Sequence, residues 1–395
     1  MADLIGIEEA RRLVLAAVAP LKGEDVVLEA ALGRVLAEDI ESQIDVPPFR
    51  SSAMDGYAVV AGPGGELRVR GESRAGRPAE GRVERGAAVR ISTGALVPDG
   101  ADAVVPIERV EETGGGAVRL PAVRPGANVR EAGEDVRVGD TVLRRGLVIG
   151  PAELGVAASL GLPALPCARR PRVVVLVTGD ELAEPGEPLG PGAIYSSNGP
   201  ALSAQVSRAG AALLRRETVR DTAEATHGAL GRALEDADLV VVSGGVSVGP
   251  HDHVKPALRE LGVEEHFWGV TLKPGKPTWF GTAGGRLVFG LPGNPVSAMV
   301  TFQLFARPAI AALQGADPAA RRAEAVLDEP IPRSPQREQA VRCRLRARAD
   351  GWHAAPTGPQ GSHVLTSMLG AAALALVPAG EGQLGAGERV AIELL

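Results

Sequence analysis

Hydrophobic and polar positions follow two different rhythms along this chain. Between residues 47 and 150, short alternating runs are broken by Gly and Pro, which is typical of small β domains. From residue 172 to residue 314, apolar strands alternate with helical patterns, and this predicts a mostly parallel sheet with helices on both faces. Residues 324–395 return to short strands and turns. The pattern predicts a multidomain α/β plus β protein with a central three-layer α/β/α domain.

Periodicity also predicts individual elements. Apolar residues at helical spacing indicate a helix over 7–19 that ends at Pro20. Pro308 predicts a kink in a long last helix of the central domain. The predicted strands of this domain are 172–177, 212–219, 239–242, 267–272 and 287–291, and its helices are 198–209, 222–234, 253–261 and 294–314.

Composition narrows the class of protein. The chain has 395 residues, which is too many for one core, and its 51 Gly and 31 Pro fit many turns between short elements. The net charge of −6 gives no argument for a nucleic-acid surface. The two cysteines are far apart in the chain, no basic-then-apolar leader is recognisable, and the apolar runs are shorter than a membrane span. We therefore expect a cytoplasmic protein with neither nucleic-acid nor membrane partners.

The stretch 239–255 has the strongest local signal. Four apolar residues are followed by a loop with almost no side chains, which contains Ser243, Gly244, Gly245 and Ser247 and leads to Asp252. A strand that ends in a glycine loop before a helix can present backbone N–H groups to an anion. The loop has neither the Walker pattern nor G-x-G-x-x-G, and a tight turn without a ligand is the alternative.

Other predicted strands end in polar residues too. The segment 178–181 follows one strand, Asp221 follows the next, and Pro292, Gly293 and Asn294 follow the last. Because ligands of such sheets bind at the carboxyl ends of the strands, these residues predict one shared site. Glycines and hydroxyls favour phosphate, and the carboxylates of Asp221 and Asp252 suit Mg²⁺.

Two lysines stand close together on a proline-rich turn. Lys273 and Lys276 either bind an oxyanion next to this site or belong to a solvated turn. Two other kinds of site have weaker support. His251 and His253 could bind zinc, but no third ligand has recognisable spacing, and the G-x-S-x-G pattern of acyl transfer is absent.

An ordered set of motifs resembles the molybdopterin molybdenumtransferases, the MoeA-type enzymes related to the E domain of gephyrin. The motifs are PPFRSSAMDGYAV (47–59), RISTGA (90–95), REAGEDV (130–136), TGDEL (178–182), IYSSNGP (194–200), SGGVSVG (243–249), KPGKP (273–277) and GLPGNPVSA (290–298). They occur in the family's order and at similar spacing. Three positions depart from its pattern, namely the pair Pro250-His251, Thr222 and Ala372.

The resemblance implies an L-shaped homodimer with shared active sites. The implied domains are an elongated N-terminal domain (1–46 and 139–168), a β-rich second domain (47–138), a molybdopterin-binding α/β domain (169–317) and a C-terminal β barrel (318–395). It also implies the reaction, in which molybdate is inserted into the dithiolene of adenylylated molybdopterin and AMP is released. The implied cofactor is Mg²⁺. The adenylyltransferase that makes the substrate and the acceptor molybdoenzymes are further implied partners.

The resemblance also implies roles for individual residues. It assigns catalysis to Asp55, Thr93, Glu181, Asp221 and Asp252, with the two last as metal ligands. Substrate binding is expected from Arg130, Asp135, Ser243, Gly244, Gly245, Ser247, Lys273, Lys276, Pro292, Gly293 and Asn294. Asp55 and Thr93 are expected to reach the site from the second subunit.

Two alternative functions remain open. An adenylyltransferase that makes the substrate would share the α/β domain, but the β-rich region around residue 56 argues against it. A scaffold without catalysis, comparable to gephyrin in receptor clustering, is the second alternative. The retained Asp, Glu and Lys residues argue against that loss.

Overall fold

The computed structural model describes residues 4–246 and 252–395, and Ser247 lies outside this part of the chain. Residues 4–168 form small β sheets and two α-helices. In chain order these elements are α1 (Ile7–Ala16), β1 (Gly23–Val27), β2 (Ile40–Glu41), β3 (Ser51–Ser52), β4 (Gly56–Val59), β5 (Gly65–Ser73), β6 (Ala87–Ile91), β7 (Ala103–Pro106), β8 (Glu111–Gly114), β9 (Ala117–Leu120), β10 (Val129–Arg130), β11 (Thr141–Leu143), α2 (Pro151–Ser159) and β12 (Ala164–Ala168).

The β-rich region is built on a six-stranded sheet with the strand order β7-β4-β6-β5-β9-β8. Its central strand β4 is buried at every position, and small apolar cores cover both faces of the sheet. A separate core joins residues near Leu36 to residues near Leu165, because β1 pairs with β12 and β2 pairs with β11. The chain therefore begins in the unit that contains β1 and β2, continues through the six-stranded sheet, and returns to the first unit with β11 and β12.

The second part of the chain contains the large sheet and a barrel. Its elements are β13 (Arg172–Thr178), β14 (Leu182–Ala183), β15 (Ile194–Tyr195), α3 (Asn198–Arg208), β16 (Ala212–Val219), α4 (Ala223–Asp236), β17 (Leu239–Ser243), α5 (Val254–Glu260), β18 (Glu264–Trp268), β19 (Leu272–Lys273), β20 (Trp279–Ala283), β21 (Arg286–Leu291), α6 (Pro295–Thr301), α7 (Arg307–Leu313), β22 (Arg322–Leu327), β23 (Ile331–Pro332), β24 (Glu338–Arg348), β25 (Gly351–Pro356), β26 (Ala373–Val377), β27 (Gln383–Leu384) and β28 (Arg389–Leu394).

The large sheet has the strand order β16-β13-β17-β21-β20-β18. The first four strands are parallel to one another. Strand β20 pairs antiparallel with β21, and β18 pairs antiparallel with β20. One face packs against α1, α3, α6 and α7, and the other packs against α4 and α5. The predicted three-layer arrangement with a mostly parallel sheet is confirmed.

Two details differ from the predicted elements. A single strand was predicted over 267–272, but β18 ends at Trp268 and the short β19 pairs instead with strand β24 of the C-terminal region. Strand β20 was not predicted, because Gly281 and the neighbouring Pro277 interrupt its apolar pattern. The antiparallel pair β20–β21 closes through a turn at Gly284 and Gly285.

The long helix after the sheet is continuous from α6 to α7 through a π-helical turn at Phe302–Ala306. The irregularity lies one turn before Pro308, where a kink was predicted. Because proline has no N–H, the carbonyl of Leu304 lacks its normal helical donor. The Arg11 Nε–H of α1 donates to that carbonyl at 3.2 Å.

The same helix has the length and hydropathy of a membrane span by composition. It covers 19 residues, but most of it is buried inside the protein. It is the core helix that separates the large sheet from the last domain.

The C-terminal residues form a closed five-stranded barrel. Strands β24, β25, β22, β28 and β26 pair in this order, and β26 pairs back with β24. The buried Glu393 of β28 accepts hydrogen bonds from Arg11 at 2.8 Å and from Arg307 at 2.6 Å. This buried ion network ties α1, the long helix and the barrel together.

Candidate functional site

A cavity of about 260 Å³ lies at the carboxyl edge of the large sheet. Since parallel strands all end at this edge, loops that are far apart in sequence meet here. The lining residues are Thr178, Glu181, Asp221, Gly244, Gly245, Val246, Asp252, Pro277, Pro292 and Gly293. The structure therefore brings together seven of the residues that the sequence singled out.

A larger cavity of about 500 Å³ lies between the N-terminal region, the long helix and the barrel. It contains no residue from the predicted site, and Asp317 is the one carboxylate side chain among its lining residues. We place the functional site in the smaller cavity, because carboxylates and glycine loops converge there.

The backbone at positions 244 and 245 leaves no room for a side chain, so both residues are glycine. Both have positive φ angles, +96° and +64°. A Cβ on Gly244 would lie 2.6 Å from Thr178 Oγ1, and a Cβ on Gly245 would lie 2.7 Å from a methyl group of Val254. The loop therefore packs so closely on β13 and α5 that only glycine fits at these two positions.

Ser243 was predicted to bind substrate, but it does not line the cavity. Its side chain is 1% exposed. The hydroxyl donates to the Pro292 carbonyl at 3.2 Å and accepts from the Asn198 side chain at 2.9 Å. Ser243 thus joins two loops that face the cavity.

Negative charge is concentrated at one side of the cavity. Burial raises the pKa of the Asp221 carboxyl, a hydrogen bond with the Asp180 backbone opposes the rise, and the charges of Asp180 and Glu181 add to it. The Asp221 backbone N–H donates to Asp180 Oδ1 at 3.1 Å, which fixes the two loops side by side. Such crowding of carboxylates favours a cation or a shared proton at this place.

The two predicted lysines lie on a turn next to the cavity. Lys273 and Lys276 are exposed, and Pro277, the residue after Lys276, lines the cavity. The Thr278 hydroxyl closes their turn by donating to the Gly275 carbonyl at 2.6 Å. The turn that carries both lysines therefore adjoins the cavity through Pro277.

The C-terminal barrel also reaches this edge of the sheet. The Asn294 side chain donates to Ser362 Oγ at 3.1 Å, and the Val296 N–H donates to the Ser362 carbonyl at 3.2 Å. The loop of Ser362 is held by the fully buried Arg342, which donates to the Gly361 carbonyl and to Ser367 Oγ. Burial lowers the pKa of Arg342 to about 10.

A second group of predicted residues lies on the β-rich region. Asp55 and Thr93 are exposed and hydrogen-bonded to each other, while Arg130 pairs with Ser51 in a short ladder. The Asp135 N–H donates to the Val46 carbonyl at 3.0 Å. Within residues 4–246 and 252–395, no hydrogen bond or ion pair joins these residues to the cavity of the large sheet.

The structure adds contributors that the motifs did not assign to the site. Thr178 and Val246 line the cavity, and Asn198 links the loops behind it. The sequence contained a signal for Thr178, because it begins the polar segment 178–181 that follows a predicted strand. Asn198 was predicted only as the first residue of the helix 198–209 and as part of the motif IYSSNGP.

Comparison with known proteins covers nearly the whole chain. Residues 5–161 match the family model described as MoeA N-terminal region (domain I and II), residues 174–312 match the "Probable molybdopterin binding domain", and residues 324–395 match the MoeA C-terminal region (domain IV). A Mycobacterium tuberculosis protein named molybdopterin molybdenumtransferase 2 is 39% identical over 410 residues, covering 98% of each chain. A Bacillus subtilis molybdopterin molybdenumtransferase is 34% identical, covering 99% of this chain and 94% of the relative.

A solved structure gives the same picture. The molybdopterin biosynthesis moeA protein from Pyrococcus horikoshii OT3 superposes with a TM-score of 0.86 at 31% identity, and the match covers 100% of both chains. These matches define a transferase of molybdenum cofactor biosynthesis that processes a molybdopterin-type substrate. The chain belongs to the MoeA-type molybdopterin molybdenumtransferase family, and the resemblance seen in its motifs is confirmed.

Proposed function

We propose that this protein inserts molybdate into the dithiolene of adenylylated molybdopterin and releases AMP. The observation that carries the proposal is the convergence of two glycine loops and three carboxylates, Glu181, Asp221 and Asp252, in one cavity. The reaction joins molybdenum to both dithiolene sulfurs, and one molybdate oxygen leaves as water with the thiol protons. Water cleaves the P–O–P linkage, so that one phosphate stays on the pterin and AMP leaves.

The chemistry of the cavity fits this substrate. The backbone around Gly244 and Gly293 lets a pyrophosphate approach closely, because no side chain intervenes. Lys273 and Lys276 supply the positive charge that a doubly charged molybdate requires. We assign Ser243 and Asn294 to the support of these loops, on the basis of their hydrogen bonds.

The donor set also fits Mg²⁺. Among the described residues, no group of three or more His, Cys, Asp or Glu side chains is arranged to hold a metal ion. Mg²⁺ commonly takes only one or two protein carboxylates and completes its shell with phosphate and water. Asp221 and Asp252 would hold it, and the ion would neutralise charge on the pyrophosphate.

We further propose a homodimer in which Asp55 and Thr93 of one subunit complete the cavity of the other. The separation of the two predicted groups within one chain supports this arrangement. A mixing experiment tests it. Asp55→Ala and Asp252→Ala subunits are each inactive alone, and mixing them should restore about one quarter of the sites, since half of the dimers are mixed and each has one intact site. Absence of restored activity in proven mixed dimers would contradict a shared site.

The cellular setting follows from the same proposal. Cys167 and Cys343 are both buried free thiols, which supports a reducing, cytoplasmic location. Its substrate would come from an adenylyltransferase, and its product would pass to acceptor molybdoenzymes. Neither a nucleic acid nor a membrane enters this scheme.

One assay tests the central step. Purified protein is mixed with adenylylated molybdopterin, Mg²⁺ and molybdate, and AMP is quantified with and without molybdate. We expect molybdate-dependent AMP release. Consumption of ATP with free molybdopterin would favour the adenylyltransferase alternative, and no turnover of either kind would favour a scaffold.

A further inference from the structure

One buried amide joins the two loops that line the cavity. Asn198, the first residue of α3, is 7% exposed. Its Nδ2 donates to the Gly293 carbonyl at 2.7 Å and to Ser243 Oγ at 2.9 Å. Because a backbone carbonyl only accepts, the NH₂ group must face Gly293, and this fixes the orientation of the amide.

The contacts of Asn198 continue into a short network. The Ser243 hydroxyl, which accepts from the amide, donates in turn to the Pro292 carbonyl at 3.2 Å. The Gly244 N–H donates to the Leu291 carbonyl at 3.1 Å. The ends of β17 and β21 are thus connected through one side chain from a third element.

This network lies in a region with unusual polar atoms. In the described part of the chain, Thr178 Oγ1, Ser196 Oγ and Asn198 Oδ1 are buried without a hydrogen-bond partner. Buried polar groups without partners are rare in proteins, and they cost stability. The Asn198 amide is therefore held through its NH₂ group, while its oxygen adds no hydrogen bond in the described part of the chain. This arrangement favours a fixed loop geometry over maximal stability.

We infer that Asn198 is a positioning residue for the proposed reaction. It sets the spacing between the loop of Gly244 and Gly245 and the loop of Pro292 and Gly293, so that both approach one pyrophosphate. This inference rests on the proposed function for its substrate. The link between the two loops rests on the hydrogen bonds alone.

A general role in helix stability makes a different prediction. Asp and Asn have the same shape, and both are favourable at a helix N-terminus, where a negative charge is stabilised further. Helix α3 is anchored by Leu202 and Val206, which are completely buried. Asn198→Asp therefore keeps the helix but removes both donors and places a carboxylate against the Gly293 carbonyl.

The test combines kinetics with hydrogen exchange on the full-length protein. Asn198→Asp and Asn198→Ala are compared with Ser203→Ala, which removes a hydroxyl of the same helix that donates to the Gly199 carbonyl at 2.8 Å. We expect both Asn198 variants to lose about 100-fold in kcat with a smaller change in KM, as for misplaced reacting groups. The amides of 244–246 and of Leu291, Gly293 and Asn294 should exchange faster in both, while Ser203→Ala should match the wild type.

The outcomes separate this inference from the proposed reaction. Unchanged exchange in these loops overturns the inference, whatever the activity. Faster exchange with an unchanged kcat overturns it too, because the loops would then move without consequence for the reaction. If the wild type lacks molybdate-dependent AMP release but exchange accelerates as expected, the proposed reaction fails and the loop-positioning role of Asn198 stands. A loss of activity in Asn198→Ala that Asn198→Asp restores would assign a structural role in α3 and overturn the inference.

Discussion

Asp55 and Thr93 are bonded twice, although 38 residues separate them. The Oδ1 atom of Asp55 accepts from the Thr93 backbone N–H at 2.7 Å and from its hydroxyl at 3.1 Å. Asp55 directly precedes β4 and Thr93 follows β6, and these strands pair antiparallel with Gly56 opposite Ile91. The sheet therefore holds both residues at one exposed corner.

This pair predicts unequal effects of substitution. Asp55→Asn should lower AMP release by about 100-fold, since it removes the negative charge, although its amide oxygen can still accept from Thr93. Thr93→Val keeps the backbone bond and should cost about tenfold, and Thr93→Ser should stay near the wild type. Steady-state AMP release measures all three. Equal loss in Thr93→Ser and Thr93→Val would show that the hydroxyl is irrelevant.

The glycine loop predicts a steric effect at Gly244. Gly244→Ala forces a Cβ to within 2.7 Å of the Thr178 carbonyl and should abolish detectable turnover. Gly285→Ala is the matched control, because Gly285 also has a positive φ but no atom lies within 4 Å of the place that a Cβ would occupy. The control should cost only about 1 kcal/mol of unfolding free energy and keep its activity. Turnover and urea unfolding compare the two variants.

The raised pKa of Asp221 predicts that its carboxylate lowers the free energy of unfolding at neutral pH. Its folded pKa is raised, so its favourable contribution is present below the unfolded value of about 3.9 and is lost as pH rises through the folded value. Asp221→Asn should therefore raise Tm at pH 7 by about 1–2 °C, with the difference shrinking in acid. It should also lose activity. Calorimetry over about four pH units, from pH 4 to pH 8, measures the Tm of the variant and of the wild type. A variant that is less stable than the wild type at every pH would contradict the assignment.

The buried network of Glu393 predicts a large loss of stability. Glu393→Gln removes the buried counter-charge of Arg11 and Arg307 and leaves Arg11 only its pair with the exposed Glu8, so we expect a loss of about 3–5 kcal/mol in unfolding free energy. Glu9→Gln breaks the exposed pair with Arg12 and serves as a control without a measurable change. Urea unfolding followed by circular dichroism measures both. A similar small effect in both variants would show that burial adds nothing to the Glu393 network.

The middle of the central sheet was predictable because β13 and β17 are continuous apolar runs, and the polar residues after Thr178, Val219 and Ser243 then had to share one edge. Long-range partners were not predictable in this way. No local pattern says that the amide of Asn198 joins Ser243 to Gly293, since such a contact exists only after three elements have packed. The apolar stripe of α1 was recognised from the sequence. The packing of α1 against the large sheet was not predicted, because an apolar stripe shows only that one face of a helix is buried and not which surface buries it.

The ion pair between Arg11 and Glu393 also has a consequence for protein synthesis. The two residues are 382 positions apart, so Arg11 leaves the ribosome long before its counter-charge exists. Helix α1 therefore cannot bury its guanidinium at low cost until the last barrel strand has been translated. A nascent chain that stops before β28 would carry two arginines without their buried counter-charge, and quality-control proteases would encounter it with this face of the sheet still open.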